Sequence, residues 1–430
     1  MRTRVLGMFL ALAAAPALAG CGGSEAPANP GGGGGAAGGG PAPLGPKTLG
    51  KKMPEFTPSG MKEEYRKYQD IKSAIRNSKA KEEQAEAKKN LADFLAEFPG
   101  KWSAIEVPAP EAFMYAVVLQ ECKLYPQAID QVRRWIEVAP DDSVNFVHAH
   151  NCLITCLAQS GTFDEAADVL AKNLETTYKN RDGDRKVMEE TIAMAMMKAG
   201  QLERAADHFE KNATIGFGDQ ESAIYAVDCW LRLGRIDEAV RIANRAGDVI
   251  KEGRAGERMK ALKQQVELVG RPAPGFEAAK WWKGSGGPVT PDMIKGRVTV
   301  VFVWNMKSAW NEFFFMRLNK LVKELAERDV QFVGISRLFR FDATVMGTRK
   351  DMTDEEELER YDMWVAQYGV IYPLAVGGYE DESLVNAWAA HVVPSYIVVG
   401  KDGKVSYVRT GKEEEHFAIL KEMIEKALKQ

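Results

Sequence analysis

Cysteine is scarce in this sequence. The 430 residues hold 5, and none lies in 270–430. The C-terminal third therefore has no thiol for disulfide chemistry of its own. An excess of positive charge is also missing. Lys and Arg together number 57 against 60 Asp and Glu, a net charge of −3, which argues against nucleic acid as a partner. No apolar run is long enough to span a bilayer. The best candidate, Val5 to Leu18, is a 14-residue run, whereas about 20 residues are needed. With 45% hydrophobic and 27% charged residues, the chain is neither a multi-span membrane protein nor wholly disordered. Its length suggests two or three domains.

The sequence begins with features of export. Arg2 and Arg4 precede the apolar run, which has the length of a signal h-region. Leu18-Ala19-Gly20-Cys21 follows, and it resembles the bacterial lipobox. The resemblance implies a signal peptide over 1–20 and lipidation of Cys21, with acyl chains anchoring the mature protein. The competing reading is an ordinary secretory signal with a chance cysteine. Gly22 is not the Asp that favours inner-membrane retention in some bacteria, so the expected location is the cell envelope, facing the periplasm, with the outer membrane favoured. From Gly22 to Pro46 the chain holds 11 Gly, 5 Pro and 5 Ala. Such a segment cannot bury a core, and it reads as a tether (linker 21–60) with a reach of about 25–30 Å. It lacks the strand–loop–helix context of a phosphate cradle.

Residues 61–269 read as helical repeats. Met61 to Ala96 suggests one long helix or a helical pair, closed by Pro99-Gly100. Gly161-Thr-Phe-Asp-Glu-Ala166 then recurs as Gly200-Gln-Leu-Glu-Arg-Ala205 and Gly234-Arg-Ile-Asp-Glu-Ala239. A weaker copy ends at Ala128, and the four alanines are spaced 38, 39 and 34 residues apart. This period predicts stacked helical hairpins. Each Gly suits a left-handed helix terminus, each acidic residue the first turn of the next helix, and each Ala a close helix–helix contact. The region resembles tetratricopeptide repeats, which implies a protein-binding surface rather than catalysis. His148, Cys152 and Cys156 share a helix face, but positions i and i+8 lie about 12 Å apart along the axis, too far for one metal ion. Small core residues are the expected role of these cysteines, and no metal or cofactor is expected.

From 270 the pattern changes to strands alternating with helices. Expected elements are a buried strand Val298 to Trp304, a helix Asn311 to Glu327, a strand Val330 to Ile335 and a helix Glu355 to Tyr368. A hairpin from Val393 to Val399 and Val405 to Arg409, then a helix His416 to Leu428, complete an α/β domain. Three segments carry a family resemblance: Gly270 to Phe276, Ile294 to Trp304, and Val392 to Lys404. They resemble the thioredoxin-like redoxins of the bacterial envelope, the TlpA-like and AhpC/TSA class. The fold class expected is thus an all-α helical-repeat solenoid followed by an α/β thioredoxin-like domain.

The family's Cys-x-x-Cys stands at a strand-to-helix junction. Aligning on Trp304 puts Ser308 and Asn311 at those two positions, and neither can form a disulfide. The resemblance further implies a cis peptide at Pro394 and an extended substrate pairing with the main chain of Val393. Trp304, Trp310 and Phe313 to Phe315 are candidates for the groove rim, or else for the core. A Ser308–His391 nucleophile pair is conceivable, although no nucleophile-elbow pattern surrounds Ser308, and a helix N-cap competes as its role. The segment 336–353, with Arg337, Arg340, Arg349 and Lys350, reads as a binding loop or a solvated insertion. The leading expectation is a lipid-anchored envelope protein that binds other proteins or peptides through its repeats and a redox-inactive groove. The alternative is a thiol–disulfide oxidoreductase that uses a cysteine of the repeats or of a partner. A solute- or carbohydrate-handling role has no supporting motif.

Overall fold

A computed structural model describes residues 58–140, 144–215, 218–276, 280–282, 288–305, 311–342, 349–350, 352–379, 383–411 and 415–430. The chain is an all-α helical region followed by a mixed α/β domain. By internal packing it forms two compact units, one ending at Ser160 and the other spanning Gly161–Gln430.

Among the described residues the first unit holds five α-helices: α1 (Met61–Asn77), α2 (Lys81–Trp102), α3 (Ala112–Glu121), α4 (Tyr125–Val138) and α5 (Val144–Gln159). A helical pair therefore accounts for the N-terminal Lys/Glu/Ala-rich stretch. Pro99 does not close the second helix, which runs on to Trp102. Proline has no N–H to give the Leu95 carbonyl, and the Cys122 thiol donates to that oxygen instead, at 3.5 Å. Aromatic rings line the packing: Phe98 lies between Phe94, Trp102 and Tyr115, at centroid distances of 5.5, 6.0 and 5.8 Å.

The second unit continues the hairpins with α6 (Phe163–Lys172), α7 (Asp182–Lys198), α8 (Leu202–Ala213), α9 (Gln220–Arg232), α10 (Ile236–Val249) and α11 (Gly253–Leu268), each packed on the next. The repeated turn has the geometry its residues suggest. Gly161, Gly200 and Gly234 have φ of 87°, 78° and 74°. The N–H groups of Gln201 and Arg235 return to the carbonyls of Met196 and Trp230, both at 2.9 Å. Such bonds close the helix ends. Ala128, Ala166, Ala205 and Ala239 are all 0% exposed, because the helices meet where a larger side chain would hold them apart. The weaker copy makes the same turn: Leu124 N–H reaches Leu119 O at 2.9 Å, with Lys123, φ 60°, in the glycine's place.

The sheet domain comprises β1 (Lys280–Trp281), α12 (Pro291–Ile294), β2 (Val298–Val303), α13 (Asn311–Glu324), β3 (Val330–Arg337), β4 (Phe341–Asp342) and β5 (Arg349–Lys350). It continues with α14 (Asp354–Tyr368), β6 (Leu374–Gly377), α15 (Ser383–Ala387), β7 (Ser395–Val399), β8 (Val405–Thr410) and α16 (Glu415–Leu428). The main sheet has the order β1-β6-β3-β2-β7-β8. Strand β2 runs parallel to β3, pairing Val298 with Val330, and antiparallel to β7, pairing Val303 with Ser395. Its sequence VTVVFV is buried at every position, as a central strand covered on both faces requires. Gly334 of β3 has no room for a side chain: an added Cβ would lie 2.3 Å from Leu374 Cδ2.

The insertion 336–353 carries a short hairpin, β4 antiparallel to β5. Its base is tied down by Glu357 of α14, which is 0% exposed. That carboxylate accepts the Phe339 N–H at 2.8 Å and the Arg340 N–H at 2.6 Å. Arg340 in turn donates to Asp354 at 3.1 Å.

Candidate functional site

The site is assembled around the loop that enters β7. The Val393–Pro394 peptide is cis. Val392 and Val393 are half-buried and Pro394 is buried. Pro394 O accepts the Gly411 N–H at 3.1 Å, tying the loop to the end of β8. The Ser395 hydroxyl donates to Val392 O at 2.6 Å and lies 2.9 Å from Thr410 Oγ1.

The loop is held from the helical side by Gln265 of α11, which is 0% exposed. Its Nε2 donates to Ala389 O at 3.1 Å and to Ser395 Oγ at 3.2 Å, and its Oε1 accepts from Thr410 Oγ1 at 2.8 Å. A buried amide with its acceptor and both donor bonds made is worth keeping, because an orphaned group would cost about 1–3 kcal/mol. Sequence reasoning missed Gln265. Its signal was an amide on the apolar-periodic face of a repeat helix, next to Gln264, with nothing local to say what it faced.

A second buried polar cluster joins the same two layers. Arg409 of β8 is 4% exposed and Asp228 of α9 is 2% exposed, and they form an ion pair. The Tyr407 hydroxyl donates to the same carboxylate. Burial pushes the Tyr407 phenol well above its ordinary range, and the Asp228 charge adds to this, so it stays a donor. Although burial opposes its charge, Arg409 is held above its ordinary value by Asp228. Strand β8, an end strand of the sheet, packs on α9 and α11, and at Val405 its main chain exchanges hydrogen bonds with Gly270 and Arg271. Covering an edge removes a template for unwanted strand pairing.

Beside the loop lies a groove of about 560 Å³. One wall is the exposed side of α11, with Arg254, Arg258, Lys260 and Gln264; His391 and Val393 belong to the other. Arg258 is bound to Glu221 of α9.

Several expected site residues lie elsewhere. Trp304 is 2% exposed and packs on Phe315 and Tyr361, at centroid distances of 4.9 and 5.1 Å. Its ring is core and cannot form a rim, because β2 delivers it under α13 and α14. Phe314 and Phe315 are core as well, while Phe313 is half-buried under the Arg317 guanidinium, 4.7 Å from its ring centre. Asn311 is the first residue of α13. Cys21, Ser308 and Trp310 lie outside the described residues, so the Ser308–His391 pair does too; His391 is exposed beside the groove.

The four described cysteines are free. Burial pushes the Cys122 thiol up to about 11 and the Cys229 thiol up to about 12. A hydrogen bond with Cys156, together with burial, raises the Cys152 thiol. At neutral pH none of these three is a ready thiolate nucleophile. Among the described residues, no three His, Cys, Asp or Glu side chains cluster as a metal site would need.

Residues 269–408 match the family model of the AhpC/TSA family. No curated protein matches the chain significantly. Among solved structures, a protein described as a thioredoxin from Neisseria meningitidis is 19% identical, covers 37% of this chain and 90% of its own, and has a TM-score of 0.28. A thiol:disulfide interchange protein from Chlorobium tepidum is 20% identical, covers 37% of this chain and 97% of its own, and has a TM-score of 0.27. On its sheet order and its family match, the C-terminal part of this chain is a thioredoxin-like domain of AhpC/TSA type, built without a cysteine.

Proposed function

We propose that this protein is a lipid-anchored envelope protein that binds other proteins or extended segments, and that its thioredoxin-like domain serves as a thiol-free docking module. One observation carries the reading: the cis-proline loop is built and buttressed in full, while 270–430 holds no cysteine. Docking of an extended chain needs main-chain groups, which Val393 supplies at a half-buried position. The repeats of 61–269 would add a protein-binding surface. In the second unit β8 already packs on part of α9 and α11, so an outside partner would meet the faces of the repeat helices that β8 leaves open.

The lipobox-like Leu18-Ala19-Gly20-Cys21 supports the anchor, with the tether setting its reach. Among the described residues, no helix is long and apolar enough to cross a membrane. A Cys21→Ser chain should leave the membrane fraction and lose the acyl mass, and retention with the acyl mass absent would sink the anchor.

The AhpC/TSA match favours a second reading, a thiol–disulfide oxidoreductase. Insulin reduction by the full chain separates the two. Turnover should stay at background, and turnover abolished by Cys122→Ser or Cys229→Ser would overturn the docking reading.

A further inference from the structure

We propose that the groove between α11 and the cis-proline loop selects extended peptide segments that carry acidic side chains. The inference rests on the docking role given above to Val393, and adds to it the identity of the partner. The groove's volume, about 560 Å³, is enough for part of an extended peptide. It is also a built feature. Gln265 ties α11 to Ala389 and Ser395, on either side of the loop that forms the other wall, so the two walls are held together.

The α11 wall gives the groove its sign. Arg254 and Lys260 are exposed there, and neither forms an ion pair among the described residues. Arg258 is already satisfied by Glu221, and Glu257 is the acidic residue between the two unpaired cations. A neutral peptide would leave Arg254 and Lys260 without counter-charges, and a basic one would be repelled. An extended segment pairs by its main-chain edge with Val393, and its side chains alternate, so one side-chain face can present carboxylates to α11. Such pairs lie at the rim and are partly solvated, so each contributes modestly and weakens with salt.

The test uses the full-length protein and fluorescence anisotropy with three labelled extended peptides: alternating Val-Glu, Val-Gln and Val-Lys. The Val-Glu peptide should bind about tenfold tighter than Val-Gln, with Val-Lys weakest, and the preference should shrink between about 0.05 and about 0.5 M salt. Arg254→Glu combined with Lys260→Glu changes only exposed helix positions and should reverse the order, with the circular dichroism spectrum retained. Equal affinity for the three peptides, all lost in Gln264→Trp, would overturn the charge selection while leaving docking intact. Failure of all three to bind would overturn the docking role as well. A Glu preference that survives the double reversal, or binding to phosphatidylglycerol vesicles in place of the peptides, would place the partner elsewhere.

Discussion

Lys123 stands where the other repeat turns have glycine, with φ 60° and an exposed side chain. A left-handed backbone costs a side-chain-bearing residue about 1–2 kcal/mol, part of which glycine returns as unfolded-state entropy. Lys123→Gly should therefore stabilise the first unit by about 1 kcal/mol in urea unfolding followed by circular dichroism. Cys229 makes the opposite kind of contribution. Burial, helped by the Asp228 charge, raises its thiol from 9.0 to about 12, so the folded state holds the proton more tightly than the unfolded chain. The stabilisation is complete below pH 9 and is lost as pH climbs toward 12. Between about pH 9 and pH 10.5 the folded chain should lose on the order of 1–2 kcal/mol from this group. Urea midpoints should fall less steeply for Cys229→Ala, and parallel slopes would show that the thiol titrates alike in both states.

At the scale of elements, helices α9 and α11 hold strand β8 through side chains, while Gly270 and Arg271 pair with its main chain at Val405. Asp228 and Arg409 are buried together, so removing one strands the other. Arg409→Met should destabilise the second unit by about 3–5 kcal/mol. Asp228→Asn combined with Arg409→Met removes both charges while keeping an acceptor for Tyr407, and should recover most of that loss. A double variant no better than the single one would mean that packing of the Arg409 stem, not charge, holds the layers. Glu357 does the same kind of work for the β4–β5 hairpin, since its buried carboxylate takes two main-chain N–H groups that no strand reaches.

For the whole molecule, the consequence is that helices α6 to α11 share one compact unit with the thioredoxin-like domain. Heat or urea should unfold 161–430 in a single transition, read identically by helical circular dichroism and by the fluorescence of Trp304 and Trp388, both buried in the sheet domain. Two separated transitions would show that the contacts of Asp228 and Gln265 do not couple the layers. Cutting the chain at 270 should yield a less stable fragment, because Arg409 would lose Asp228 and the cis-proline loop would lose Gln265.

What the sequence determined by itself is local. The Gly-x-x-acidic-x-Ala pattern specified the repeat turns, because backbone sign and side-chain size act within a few residues. The β-branched runs specified β2, β3 and the final hairpin, and the lack of cysteine in 270–430 removed disulfide chemistry from that domain whatever its shape. Helix α2 escaped this logic at Pro99, where the compensating thiol comes from Cys122, just past the end of α3. Trp304 escaped it because a ring's exposure depends on which helices close over its strand. Only the tertiary structure decided that α11 walls the cis-proline groove, since Gln265 and Ser395 stand 130 residues apart. Nothing local in either residue encodes that meeting, which depends on long-range burial, where the need to satisfy every polar group selects the partners.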